Sequence, residues 1–144
     1  PTARVKLEPF INWLLGGDKL TAGPSIAAKS VVLVGYGPIG HGVIKRLLEI
    51  AAGNIKITVV CEEPHAAYNR VKLTSYFQHR THDKIAYSTP EWCVKSGVKL
   101  VFGKAASIDR GAKKVDVDLS QGGSEVVSYD DLVLATGSKP FIPP

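Results

Sequence analysis

A glycine-rich turn, Gly35-Tyr36-Gly37-Pro38-Ile39-Gly40, lies between two apolar runs and limits what this chain can fold into. Val31 to Val34 before it reads as a strand. The residues after it, to about Ile50, read as a helix, and Ile55 to Val60 as a second strand running into Glu62. Each glycine has a physical task in such a βαβ unit. Gly35 permits the tight exit from the strand, Gly37 lets the backbone come close to phosphates, and Gly40 lets the helix pack on the sheet. Glycine turns also occur at ordinary strand-turn-helix corners. Here the strand before, the helix after and an acid at the ~20-residue offset all point to a dinucleotide whose pyrophosphate sits at the helix N-terminus.

The first strand is apolar without alternation, as expected of a parallel strand buried on both faces. Ile39, Val43, Ile44, Leu47 and Leu48 recur at helical spacing and give one face toward the sheet, with Lys45, Arg46 and Glu49 opposite. A chain of 144 residues favours one domain with one core. It carries a formal charge of +5, but its basic residues are scattered rather than clustered with aromatics, so no nucleic-acid partner is expected. No apolar run reaches the ~18 residues of a membrane span, so no membrane partner is expected either.

Two cysteines, Cys61 and Cys93, make neither a disulfide framework nor a zinc site, and Cys61 at a strand end reads as a small buried hydrophobe. The pair fits an intracellular, cytoplasmic setting, with an organelle left open. His65, His79 and His82 show no metal spacing and read as surface residues, so no metal site is expected. His41 reads as a packing or hydrogen-bonding histidine, Trp92 as core, and Tyr36 and Pro38 as shapers of the turn. A chain that begins at Pro1 and contains no methionine is expected to be part of a longer product.

Residues 1–29 read as an arm or linker, with a short amphipathic helix possible over Phe10 to Leu15. Residues 30–144 form the domain. After Glu63-Pro64-His65 a short helix is expected around Leu73 to Gln78, and Thr74 and Ser75 could serve as its N-cap. Ser88-Thr89-Pro90-Glu91 starts another helix, with a hydroxyl cap, a proline in the first turn and an acid at the dipole's positive end. Val98 to Phe102 returns as a strand. Ala105 to Asp109, Lys113 to Asp118 and Glu125 to Tyr129 then read as a small antiparallel meander inserted into the α/β layer. Leu132 to Ala135 is a last buried strand that closes on Thr136-Gly137-Ser138, and Pro140 to Pro144 cannot be regular structure.

The glycine turn alone leaves FAD and NAD open. Three motifs in order, Val31 to Gly40, Ile57 to Pro64, and Tyr129 to Pro140 with its Ala135-Thr136-Gly137, together resemble the FAD-binding half of the pyridine nucleotide-disulfide reductase superfamily. Within it, Cys61 to Phe77, Gly137 to Pro144 and His41 after the third glycine are most similar to the assimilatory NAD(P)H nitrite reductases. The family's usual aspartate is Asn69 here. The resemblance implies a Rossmann-like parallel sheet with the inserted meander, an FAD/NAD(P)-binding domain present in part.

The resemblance also implies site roles. Gly35, Gly37, Pro38, Ile39 and Gly40 would cradle the FAD pyrophosphate, and Glu62 would accept hydrogen bonds from the ribose hydroxyls, with Glu63 beside it. Arg70, Thr74 and Ser75 would lie toward the flavin, and the backbone at Ala105 would meet the adenine. Ala135, Thr136 and Gly137 would pass close to the cofactor. NAD(P)H would donate electrons in the full-length protein, and an iron-sulfur cluster and sirohaem outside this stretch would receive them and reduce nitrite to ammonia. A downstream redox domain or small subunit would be the partner. No catalytic side chain is assigned, and the redox cysteine pair of the disulfide reductases is absent after Gly40. Two alternatives remain: a ferredoxin- or rubredoxin-type reductase, and a non-catalytic module that senses NAD(H).

Overall fold

In the computed structural model, which describes residues 28–51 and 53–138, the first strand β1 (Lys29–Val34) lies inside a six-stranded sheet. The other strands are β2 (Ile55–Cys61), β3 (Val98–Asp109), β4 (Lys114–Leu119), β5 (Ser124–Ser128) and β6 (Asp131–Leu134). The spatial order is β5-β4-β3-β2-β1-β6. Pairs β1 with β2, β1 with β6, and β2 with β3 are parallel; β3 with β4 and β4 with β5 are antiparallel. The register places Val34 beside both Val60 and Leu134, and Cys61 beside Phe102. The carboxyl ends of β1, β2 and β6 therefore share one edge with the middle of β3.

Successive strand residues face opposite ways, and both faces of β1 are covered. Val31 and Leu33 join Val59 and Val133 against Val43, Ile44 and Leu47 of helix α1 (Pro38–Ile50), and Cys93 of helix α3 (Pro90–Lys95) belongs to the same cluster. Val32 and Val34 join Val60 and Val101 in a second cluster, with Val115, Val117 and Val127 of the meander. This double burial is the physical reason the strand does not alternate. Helix α2 (Leu73–His79) follows a 3-10 turn (Arg70–Lys72) and has no buried residue.

The meander differs from its sequence-based expectation in one way. Val98 to Phe102 and Ala105 to Asp109 are one strand, β3, with a register shift between Ala105 and Ser107. The hairpin β4-β5 continues the sheet beyond β3, as expected of an inserted meander, and its three buried valines join the cluster on the second face of the parallel strands. Gly103 reads as a break in sequence, yet a Cβ there would run into the Asp118 carbonyl. The glycine serves close strand approach rather than a turn. At α3 the expected start is met: Thr89 Oγ1 accepts from Trp92 N at 3.2 Å and Pro90 takes the first position. The possible helix over Phe10 to Leu15 and the tail Pro140 to Pro144 lie outside the described residues.

Candidate functional site

The glycine turn is held by backbone. Gly35 N donates to Val60 O at 2.9 Å, tying the exit of β1 to β2. On the other side Ala135 N donates to Val34 O at 2.8 Å. Gly35 has φ +100°, and a Cβ on it would run into the carbonyl of Ala135. A Cβ on Gly40 would run into the Gly35 carbonyl and meet Leu33 Cδ2 at 3.0 Å. These two glycines therefore exist for packing within the protein. Gly37 differs: its φ is −92° and a Cβ there would meet nothing within 4 Å. Its open side is a cradle that a side chain would fill.

Gly37 is the N-cap of α1, which has no side-chain cap, no acid in its first turn and Pro38 at its start. His41 N donates to Gly37 O at 2.9 Å, the first bond of the helix. The amides of Ile39 and Gly40 precede that bond, so they have no acceptor within the helix, and Pro38 has no N–H to offer. An uncapped positive helix end beside an open glycine suits an anion. The Ile39 side chain is exposed.

Glu62 follows β2 directly, at the edge shared with the turn. It is exposed, and no hydrogen bond or ion pair holds it among the described residues. An unpaired carboxylate is an acceptor only, suited to a pair of hydroxyls. Ala135, Thr136 and Gly137 leave β6 at the same edge, with Gly137 at φ +70°. The chain moves outward from β1 through β2 to β3 on one side and returns as β6 on the other. This is the strand-order reversal where open α/β sheets place ligands. Ala105 lies on β3 three residues past Phe102, half-buried against the second core cluster.

Glu63, Arg70, Thr74 and Ser75 lie on a different segment. Arg70 Nη2 pairs with Glu63 Oε1 at 2.7 Å, and its guanidinium lies 5.8 Å from the centre of the Tyr68 ring. Thr74 and Ser75 do not cap α2. Lys72 holds the cap position without a side-chain bond, and Ser75 Oγ donates back to Lys72 O at 2.7 Å. The capping is done earlier by Asn69, whose Oδ1 accepts from Val71 N at 3.0 Å.

A buried polar cluster beneath the turn has no signature in the sequence. The Tyr36 hydroxyl lies 2.8 Å from Ser88 Oγ and 3.2 Å from Cys93 Sγ, and all three residues are buried. Burial pushes the Tyr36 phenol above its ordinary range, and its bond to Cys93 adds to the rise. Burial also raises the Cys93 and Cys61 thiols. His41 stacks on Tyr87 with ring centres 5.6 Å apart and tilts against Trp92 at 5.4 Å. Its pKa is lowered by burial first and by Lys45 second. Packing is thus its role, as expected, and Trp92 packs against the core.

His82 corrects the surface reading. It is half-buried, with its ring centre 4.9 Å from that of His65 and 5.6 Å from that of Tyr68. Among the described residues, no group of three or more His, Cys, Asp or Glu could hold a metal ion. None of the described helices is long and apolar enough to cross a membrane.

Residues 29–144 match the family described as pyridine nucleotide-disulphide oxidoreductase. The chain is 39% identical over 115 residues to the nitrite reductase (NADH) large subunit of Escherichia coli (strain K12), which covers 79% of this chain and 13% of that protein. It is 37% identical over 116 residues to the nitrite reductase NAD(P)H large subunit of Klebsiella oxytoca, covering 79% and 12%. The chain thus spans about an eighth of the length of these relatives. The crystal structure of NADH:rubredoxin oxidoreductase from Clostridium acetobutylicum superposes with a TM-score of 0.68 at 26% identity, covering 81% of this chain and 29% of that one.

Proposed function

The chain belongs to the pyridine nucleotide-disulphide oxidoreductase family, and on that premise we propose that it is the FAD-binding portion of an NAD(P)H-dependent nitrite reductase. One observation carries the cofactor reading. The uncapped N-terminus of α1, with the open face of Gly37 and the unpaired Glu62 on one sheet edge, has the donors and acceptors that a dinucleotide needs. Two relatives named as nitrite reductase large subunits, at 39% and 37% identity, support the finer assignment.

In this reading Gly35, Gly37, Pro38, Ile39 and Gly40 hold the pyrophosphate through backbone amides and shape. Glu62 accepts from the ribose hydroxyls. The Ala105 backbone meets the adenine, and Ala135, Thr136 and Gly137 line the path of the cofactor. Arg70, Thr74 and Ser75 lie on the flavin side, with Glu63 fixing the direction of the Arg70 guanidinium. FAD, when bound, would take a hydride from NAD(P)H and pass the electrons to an iron-sulfur cluster and sirohaem elsewhere in the protein, where nitrite becomes ammonia. This chain's own residues bind and orient the cofactor, and none is assigned a proton transfer. Residues 30–144 are the binding unit and 1–29 an arm. A downstream redox domain or small subunit is the partner, in the cytoplasm, where two free buried thiols are at home.

The test is titration of the purified chain with FAD, followed by flavin fluorescence and visible absorbance. Saturable binding that excess NAD does not displace is expected. Colourless protein with an unchanged spectrum at every FAD concentration would overturn the reading, and preferential binding of NAD would favour the nucleotide-sensing module instead. A carrier-protein reductase is favoured by the likeness to NADH:rubredoxin oxidoreductase at a TM-score of 0.68. Assay of the full-length protein with nitrite and with rubredoxin separates the two.

A further inference from the structure

We propose that Tyr36 is a positioning residue for the phosphate-binding turn. Its hydroxyl, bound to Ser88 and Cys93, holds Gly35 to Gly40 in the conformation that presents the first amides of α1. The inference rests on the cofactor reading above and deepens it. Between the backbone anchors of the turn, Gly35 N to Val60 O and His41 N to Gly37 O, Tyr36 supplies the sole side chain that reaches the core. Its neighbours Gly35 and Gly37 leave the backbone unusually free. A turn so permissive needs an external constraint to keep its amides convergent, since every alternative conformation it visits lowers its apparent affinity.

The geometry supplies that constraint. Tyr36 is 6% exposed, Ser88 7% and Cys93 0%. A phenol has one proton and two acceptor sites, so it can donate to one of these partners and accept from the other. Ser88 precedes the cap of α3 and Cys93 lies within α3. The hydroxyl therefore joins the turn to an element 52 positions away in one case and 57 in the other. A phenylalanine ring would fill the same volume without fixing the ring tip to either partner.

The experiment compares the wild-type chain with Tyr36→Phe, Ser88→Ala and Cys93→Ser, at a temperature where all are folded. One readout is hydrogen exchange of the apo protein at the Gly35 and His41 amides, with the Val59 and Val60 amides as internal controls. The other is the dissociation constant for FAD. Loss of the buried bonds to Ser88 and Cys93 predicts exchange at the turn amides and Kd each raised about fivefold to tenfold in Tyr36→Phe, beyond any rise that the control amides show through global unfolding. Ser88→Ala should follow it, and Cys93→Ser, which keeps a partner for the phenol, should stay within about twofold of wild type.

A merely structural Tyr36 would lower the melting temperature, raise exchange at turn and control amides alike through global unfolding, and leave Kd as in wild type, because binding by folded protein does not depend on global stability. That result overturns the proposal. If Tyr36→Phe fails to fold, Ser88→Ala reads the same bond from its other end and decides it. If wild type binds no FAD yet the turn amides still exchange faster in the variants, the cofactor reading falls and the anchoring role stands.

Discussion

The corner built from Gly35, Gly40 and Ala135 and the segment from Glu63 to Arg80 offer themselves to a ligand in opposite ways. In the corner the positions are set by backbone against backbone, with no room for a Cβ at two glycines, while the functional groups, two amides and one carboxylate, have no partners among the described residues. In the segment the polar side chains are exposed but already engaged: Arg70 with Glu63, Asn69 with Val71 N, Ser75 with Lys72 O. The corner is rigid and its donors are free. The segment's groups must trade an existing bond for a new one, which makes each worth less to a ligand.

The largest test of this contrast is Gly35→Ala. Both the positive φ and the collision with the Ala135 carbonyl oppose it, so we expect a loss of ~3 kcal/mol or more in denaturant unfolding. Gly40→Ala should behave alike. Gly37→Ala is the sharper case. Its Cβ has room and its φ is ordinary, so stability should fall by less than ~1 kcal/mol while the FAD dissociation constant rises about tenfold. Unfolding comparable to that of Gly35→Ala would mean the open face is structural, and the contrast between the glycines would collapse.

Glu62→Gln comes next. It keeps the shape and removes the charged acceptor, so FAD titration should show affinity lower by about fivefold with the melting curve unmoved. Arg70→Gln should alter stability by less than ~1 kcal/mol, an effect that shrinks further in 1 M salt at ~3 Å screening length, because both partners are largely exposed. A larger loss would show that the segment is as rigid as the corner.

The smallest effect concerns pH. The His41 pKa lies below its ordinary 6.5 in the folded chain, so between the two values the unfolded chain binds more protons and stability rises with pH. Its contribution is complete above 6.5 and declines as pH falls toward the folded value. Thermal melts in acid should show this slope, and His41→Phe should flatten it.

What the sequence disclosed and what it hid follow the same division. The β1-α1-β2 unit is readable because its determinants are local: a non-alternating apolar run, three glycines with fixed tasks, and an apolar stripe at helical spacing. Thr89 and Pro90 are equally readable as a helix start, since a cap acts over three residues. The continuity of β3 is not. Gly103 interrupts the apolar pattern for the sake of the Asp118 carbonyl, a contact made only in the folded chain. Thr74 and Ser75 have cap chemistry, but Asn69 sits at the entry to the 3-10 turn and takes the task first. No spacing rule joins Tyr36 to Ser88 across 52 positions. The surface reading of His82 failed for the same reason, since His65 and Tyr68 shelter it only after the segment folds back.

The place of β1 between β2 and β6 also has a consequence in time. Its second edge is closed by residues made 100 positions later, where Ser30 N meets Asp130 Oδ2 and Lys29 reaches Asp131. At a synthesis rate of roughly 5–20 residues per second, that edge waits on the order of 5–20 s with its N–H and C=O groups unpaired. Four consecutive Val and Leu residues in that state are a template for any passing strand. The short β6, which contributes little to the volume of the core, is the latch that closes this edge.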